Sequence, residues 1–304
     1  MKIKKILITG ASGYIGQKLI SKLLQKNFEL ICIYRRNIPA QYSQNKKIKW
    51  IKCDLSKSKI NLRDGIQLHC VIHLCGITIG KKASIDKFFR INELALINTL
   101  ESVTNKTKKF IFASSQYVYG NARSKKISEN FSLNPSFNSY SASKINCENW
   151  LKIYQKLNDG MYFSLRLTGF IGGGGNIDYI IDKAKNNEDI VLYSKGNICR
   201  DYITIEFFNN IILRIINKTH KKKFYIFNTS SGQSLSSLSV ANMICKNINS
   251  KSEIKLSKKR SIIGNFVLQN IKLRKYLQIS NINLKKEILK ESKKTIDYEK
   301  NKHS

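Results

Sequence analysis

Tyr140 and Lys144 stand four residues apart in the run Tyr140-Ser141-Ala142-Ser143-Lys144, so on a helix their side chains share one face. A free tyrosine has a pKa of about 10, too high for a base at neutral pH. An ammonium beside it favours the phenolate and makes the pair a proton-transfer device. Ser114 and Ser115 open the run Ser114-Ser115-Gln116-Tyr117-Val118-Tyr119-Gly120, directly after the apolar stretch Lys109 to Ala113. Hydroxyls at the C-terminal end of such a strand lie where open α/β sheets bind ligands. Tyr140 and Lys144, with a hydroxyl from the Ser114-Ser115 pair, are therefore the candidate catalytic set. Their chemistry is the movement of a proton on or off a hydroxyl or ketone oxygen.

A second constellation suits a cofactor. Gly10, Gly13 and Gly16 are spaced three and three in Gly10-Ala11-Ser12-Gly13-Tyr14-Ile15-Gly16. They follow an apolar strand, Lys4 to Thr9, and lead into the helical pattern Ile15, Leu19, Leu23 and Leu24. Glycine lets the turn take positive φ and lets backbone approach a pyrophosphate, while the helix N-terminus offers its N–H groups. A second strand, Leu30 to Tyr34, completes the unit that a dinucleotide fingerprint requires. It ends in Arg35-Arg36 with no acid, and arginine accepts a 2′-phosphate where an acid would bind ribose hydroxyls. The cofactor is NADP or NAD, with NADP slightly favoured. Asp54, after the third strand, is placed to touch the adenine. Tyr14, Ile15, Leu55 and Leu74 join the cofactor-binding candidates.

The elements that must hold these residues alternate. Strands are expected at Ile48 to Cys53, Cys70 to Leu74, Lys109 to Ala113 and Tyr162 to Leu167. A helix carrying Phe88, Phe89, Ile91, Leu94, Ala95 and Leu100 lies between two of them, and another spans Ser141 to Leu157. This predicts an α/β fold, a Rossmann-type doubly wound parallel sheet covered on both faces, with a smaller C-terminal substrate lobe. Residues 1–168 form the dinucleotide-binding domain. Residues 169–304 form mainly the substrate lobe, with some elements returning to the sheet. Gly172 to Gly175 make a flexible run before Asn176, a candidate substrate contact.

Composition excludes several classes. In 304 residues, 42% are hydrophobic and 24% charged, which fits a folded globular chain rather than a disordered one. No apolar run reaches the ~18 residues of a spanning helix. Met1 to Leu7 is basic then apolar, but too short for a signal peptide and followed by the glycine turn, so a cytoplasmic location is expected. Seven scattered cysteines without a Cys-x-x-Cys pair argue against disulfides and zinc. His69 and His73 have metal-ligand spacing but no supporting carboxylate, so no metal is expected. The net charge of +34 is spread from Lys2 to Lys302 among abundant Asn and Ile, the mark of A/T-rich codon drift. A positive field would still attract a diphosphate substrate. The Lys-rich end, 281–304, reads as a solvated helix or a frayed tail.

Together these motifs resemble the extended short-chain dehydrogenase/reductase family, its NAD-dependent epimerase/dehydratase group. The likeness runs almost end to end. It includes the glycine turn, Val71-Ile72-His73-Leu74-Cys75-Gly76, Asn92 in the middle helix, Ser114 to Gly120, and Tyr140-x-x-x-Lys144. Arg166 and Arg200-Asp201-Tyr202-Ile203 follow in order. The resemblance implies that Tyr140 is the acid/base and that Lys144 holds the nicotinamide ribose and lowers the tyrosine pKa. It implies that Ser115 hydrogen-bonds the reacting oxygen, that Asn92 serves the cofactor site, and that Gln116 and Arg200 meet the substrate. Arg200 corresponds to the residue that grips a diphosphate, for which a bidentate fork is apt.

The implied reaction is hydride transfer at a sugar carbon, usually C4, of a nucleotide-diphosphate sugar, and the implied assembly is a homodimer through the helices after Lys82 and Ser139. The 4,6-dehydratases resemble this chain but carry Asp-Glu where Gln116-Tyr117 stand, which disfavours elimination of water. The 3,5-epimerase/reductases use a cysteine near this loop, and none lies between 76 and 146. A nucleotide-sugar 4-epimerase is expected, with an NADPH-dependent nucleotide-4-keto-sugar reductase as the alternative. A non-catalytic nucleic-acid binder or redox sensor is a third possibility, against which the complete Ser115, Tyr140 and Lys144 set speaks.

Overall fold

The computed structural model describes residues 4–78, 83–120, 122, 126–221, 223–261, 264–265 and 267–300, with side chains as far as 294. Residues 1–3 of the basic start and 301–304 of the Lys-rich end lie outside them. In chain order the elements are β1 (Lys5–Thr9), α1 (Tyr14–Leu24), β2 (Glu29–Tyr34), β3 (Ile48–Lys52), β4 (Cys70–His73), α2 (Ile85–Phe88), a π-helical turn (Phe89–Leu94), α3 (Ala95–Ser102), β5 (Lys109–Ser115), α4 (Ser139–Leu157) and β6 (Met161–Leu167). There follow β7 (Gly169–Phe170), α5 (Asn176–Lys185), β8 (Ile190–Leu192), β9 (Cys199–Arg200), β10 (Tyr202–Ile203), α6 (Ile205–Asn217), β11 (Phe224–Thr229), β12 (Leu235–Ser236), α7 (Ser237–Ile248), β13 (Ile254–Leu256), α8 (Ile271–Leu277) and α9 (Leu284–Lys300).

Seven strands form one parallel sheet in the order β11-β6-β5-β4-β1-β2-β3. The order reverses at β1, which lies between β2 and β4. Central strands carry continuous apolar runs because both faces are covered: Ile6, Leu7 and Ile8 of β1 and Cys70, Val71 and Ile72 of β4 have no exposed surface. Helix α1 buries Leu19 and Leu23 of the stripe that its spacing predicts, with Ile20 beside them, while Ile15 and Leu24 are half-buried.

The chain divides into two compact units. The first comprises residues 1–120, 132–167 and 209–227, and contains the large sheet. One of its cores joins Leu7, Ile31, Val71, Leu96, Phe110 and Leu151, among others. The second comprises residues 121–131, 168–208 and 228–304. Its core gathers Ile177, Ile180 and Ile181 of α5, Val240, Ala241 and Ile244 of α7, and Leu284 and Ile288 of α9. Among the described residues no helix is long and apolar enough to cross a membrane.

Candidate active site

β1 runs directly into the glycine turn. Gly10 has φ of +65°, and a Cβ there would stand 2.8 Å from the Cys75 nitrogen and the Leu74 carbonyl carbon. The turn thus passes too close to the end of β4 for any side chain. At Gly16, in the first turn of α1, a Cβ would overlap the Gly10 carbonyl oxygen and lie 2.8 Å from the Ala11 Cα. Gly13 caps α1 without a side-chain hydrogen bond, and the first turn, beginning Tyr14-Ile15, carries no acid. A bare backbone cradle at the positive end of a helix, with no carboxylate to repel an anion, fits a pyrophosphate.

Arg35 and Arg36 are both exposed just beyond β2. Asp54 follows β3, and its carboxylate accepts the Ser56 hydroxyl at 2.6 Å and the Ser56 N–H at 3.1 Å. The Ser56 hydroxyl, above all, holds Asp54 below the usual carboxylate range, and the Arg35 charge adds to it. Leu55 turns its side chain into the core, 4% exposed, so it can offer a cofactor only its backbone.

At the end of β4, the Thr9 hydroxyl accepts the Cys75 N–H at 3.3 Å and lies 3.0 Å from His73 Nδ1. The Leu74 N–H donates to the Thr9 carbonyl at 3.3 Å, which pins the strand end against β1. Asn92 sits on the π-helical turn, a bulge of the kind often found at functional sites. It accepts the Ile77 N–H at 2.8 Å, and its amide donates to the Ile77 carbonyl at 3.3 Å and to the Ser143 hydroxyl at 2.9 Å. Asn92 therefore locks the loop after β4 to α4, and a Cβ at Gly76 would lie 3.6 Å from Lys144 Nζ.

Ser115 ends β5 and is 5% exposed, Tyr140 is 7% and Lys144 6% exposed. Asn138 caps α4 by accepting the Ser141 N–H at 2.8 Å, and the Ser141 hydroxyl donates to the Tyr117 carbonyl at 2.6 Å. These bonds fix the first turn of α4 beside the loop that carries Ser115. The Ser115 hydroxyl hydrogen-bonds the Tyr140 phenol. Lys144 Nζ donates to the Ala113 carbonyl at 2.9 Å and lies 4.7 Å from the Phe112 ring centre and 5.9 Å from that of Tyr140.

Electrostatics depart from the expectation for Tyr140. Burial pushes its phenol up to about 12, and the Ser115 bond offsets this only in part. The same burial pulls Lys144 below the usual lysine range. In the protein's own field the tyrosine is a neutral phenol, because burial disfavours the phenolate.

One residue of this face escapes notice in the sequence. Glu148 continues the spacing of Tyr140 and Lys144 by four, and it is completely buried. Its Oε1 accepts Ser114 Oγ at 2.7 Å, Ser164 Oγ at 2.9 Å and Arg166 Nε at 3.0 Å, and its Oε2 accepts Arg166 Nη2 at 2.7 Å. Arg166 Nη1 donates to the Tyr119 hydroxyl at 2.8 Å. A lone glutamate on a long helix ordinarily reads as solvated; the available signal was its register with Lys144.

Asn176 and Arg200 belong to the second unit, where both line a cavity of about 340 Å³ together with Tyr179, Tyr193, Ser237 and Ser261. No carboxylate lines it, and Arg200 Nε is buried without a hydrogen-bond partner. An unpaired guanidinium in an acid-free cavity suits an anionic ligand.

The model of the NAD dependent epimerase/dehydratase family matches residues 6–229. A putative UDP-glucose 4-epimerase of Methanocaldococcus jannaschii is 29% identical over 66% of this chain and 69% of its own length. CDP-abequose synthase of Salmonella muenchen is 27% identical over 83% of each chain. Among solved structures, MoeE5 in complex with UDP-glucuronic acid and NAD superposes with a TM-score of 0.82 at 18% identity, covering 96% of this chain and 99% of the other.

Proposed function

The chain belongs to the NAD dependent epimerase/dehydratase family of enzymes, and on that premise we propose that it is a nucleotide-sugar epimerase working by hydride transfer at C4 of the sugar. The observation that carries this is the burial of Ser115, Tyr140 and Lys144 together at the end of β5, with the loop after β4 approaching Gly10 at Leu74 and Cys75 and Lys144 at Gly76. Gly10, Gly13, Tyr14, Ile15 and Gly16 would hold the pyrophosphate; Arg35, Arg36, Asp54, Leu55 and Leu74 would hold the adenosine half. Asn92 keeps the loop after β4 in place, and Lys144 would hold the nicotinamide ribose. What the dinucleotide supplies when bound is a hydride acceptor and donor.

The protein's residues handle the proton. Ser115 hydrogen-bonds the reacting oxygen, and Tyr140 takes its proton and returns it. As a base Tyr140 needs more positive charge nearby than Lys144 alone provides, since burial holds it near 12. Asn176 and Arg200 bind the nucleotide diphosphate, in keeping with the buried, unpaired Arg200 Nε. Gln116-Tyr117 in place of an acid pair disfavours a dehydratase.

A second reading, an NADPH-dependent 4-keto-sugar reductase, is favoured by the exposed Arg35 and Arg36. The enzyme is placed in the cytoplasm, where its free cysteines stay thiols. We further place a homodimer contact on the apolar stripe of Trp150, Ile153 and Leu157 on α4, beside Ile85 and Phe89, all exposed. Denaturing the purified protein and identifying any released dinucleotide separates the two reactions. Stoichiometric NAD supports the epimerase; an empty protein preferring NADPH over NADH supports the reductase; no dinucleotide binding overturns both.

A further inference from the structure

Arg200 lines the cavity of the second unit, and Asp201, the next residue, has no exposed surface and turns into the interior. Its Oδ1 accepts the Ser231 N–H at 2.9 Å and the Ser231 hydroxyl at 2.6 Å, and its Oδ2 accepts the Gly232 N–H at 3.0 Å. The Tyr202 N–H adds a further bond. Burial, offset only in part by these bonds, pushes the carboxyl up to about 7.

The turn that Asp201 grips is fixed. Gly232 has φ of +72°, and a Cβ there would stand 2.9 Å from Asn270 Oδ1. The Asn270 amide donates to the Ser230 carbonyl at 2.8 Å, and the Leu284 N–H at the start of α9 donates to Gln233 Oε1 at 3.1 Å. The strand that carries Arg200 has a shorter hold. β9 pairs with β12 over two residues, Arg200 opposite Leu235 and Cys199 opposite Ser236. At Asp201 the chain leaves β12 for β7, with Tyr202 opposite Gly169. Asn265 Oδ1 takes the Cys199 N–H at 2.8 Å on one side of Arg200, and Asp201 is the anchor on the other. Arg200 Nε is buried without a hydrogen-bond partner, so that edge of the guanidinium takes its direction from the backbone beneath it.

We infer that Asp201 is a positioning residue for Arg200: by tying the residue after Arg200 to the Ser231–Gly232 turn, its carboxylate sets where the guanidinium stands in the cavity. This rests on the diphosphate reading of Arg200 above and adds the residue that aims it. A planar fork binds a diphosphate well only in register, so a small displacement of β9 loosens the grip without touching the proton-transfer residues.

The test compares wild type with Asp201→Asn, Ser231→Ala and Arg200→Met. Each protein is titrated with UDP, dTDP, CDP and GDP and with dinucleotide, melted without ligand, and assayed with the matching hexose nucleotides. Asp201→Asn sets an amide N–H donor against N–H donors and releases the turn. It is expected to raise KM, and the dissociation constant of the nucleoside diphosphate that wild type binds, by about 10- to 100-fold. Its kcat should stay within about threefold, because the diphosphate is held alike before and during the reaction, and its dinucleotide affinity should not change. Ser231→Ala removes one bond and should shift the same two constants by about 2- to 10-fold. An acid that only stabilises the fold would lower the melting temperature and leave KM and the dissociation constant at their wild-type values. That result, or a loss confined to kcat, overturns the assignment. If Asp201→Asn does not fold, Ser231→Ala decides, and a wild-type KM in it overturns the assignment. Nucleotide affinity lost in Arg200→Met but kept in Asp201→Asn rejects the role of Asp201 alone. Affinity kept in Arg200→Met, or a wild type that binds none of the four diphosphates, rejects the diphosphate reading and the role of Asp201 with it.

Discussion

Glu148 and Arg166 are joined by two hydrogen bonds, at 3.0 and 2.7 Å, with side chains only 1% and 2% exposed. The pair braces α4 against β5 and β6, directly below the turns that carry Tyr140 and Lys144. Losing one partner strands the other charge in the core. Glu148→Ala or Arg166→Met alone should each destabilise the fold by about 3–5 kcal/mol in urea titrations, while the double variant Glu148→Leu/Arg166→Met should recover much of the loss. Equal losses in the single and double variants would mean that the two residues act separately.

Tyr140→Phe keeps the ring against Phe88 and Tyr117 and deletes only the hydroxyl. Turnover should fall by about 10²- to 10⁴-fold with dinucleotide affinity nearly unchanged. Near-normal turnover would remove Tyr140 from the proton path.

Gly16→Ala tests the cradle, since a methyl there overlaps the Gly10 carbonyl oxygen. On the proposed function the variant should lose dinucleotide binding at least about 10-fold, because relief requires the turn to leave the shape that would cradle a pyrophosphate. Calorimetric titration reads this directly, and unchanged affinity would place the dinucleotide elsewhere.

His73 makes the fold acid-sensitive. Burial, with a smaller push from Lys144, lowers its pKa to about 3, and it has no exposed surface. The unfolded chain binds a proton near 6.5 and the native one does not, so stability is full above about pH 6.5 and is lost as pH falls toward 3. His69 and His220 are lowered by burial too and add in the same direction. Denaturant unfolding should show the protein weaker by about 1–2 kcal/mol at pH 5.5 than at pH 7.5, and His73→Leu should flatten that slope. A slope unchanged by His73→Leu would assign the effect to the other histidines.

Ser194 and Lys195 have φ of 52° and 53°, a left-handed conformation that side chains resist. Lys195→Gly should raise stability by about 0.5–1 kcal/mol, read as a higher melting temperature. A lower melting temperature would show that the lysine side chain contributes more than its backbone costs.

The first strand-turn-helix-strand unit was legible because its signals are local: a glycine spacing, an apolar run and a helical stripe sit within about thirty residues. The Tyr140–Lys144 pair was legible for the same reason. Strand ends moved by a residue or two, as at β5, which runs on to Ser115 rather than stopping at Ala113. Three features were not legible. The π-helical turn around Asn92 depends on packing against α4, which leaves no mark in composition. Glu148 needs Arg166, eighteen positions away, before its charge can be buried. The upward push on Tyr140 comes from the depth of its burial, which no spacing reveals.

The sheet order also bears on how the chain is made. β6 is an interior strand whose outer neighbour is β11, yet the chain leaves the first unit after Leu167 and returns only at Asn209. During synthesis the outer edge of β6 must wait, unpaired, until Phe224–Thr229 has left the ribosome. For that interval the nascent chain presents a buried-type strand, Met161–Leu167, as an open template to any other strand. Truncations ending between Leu167 and Phe224 should therefore aggregate, and slowing translation across this stretch should lower the yield of soluble protein.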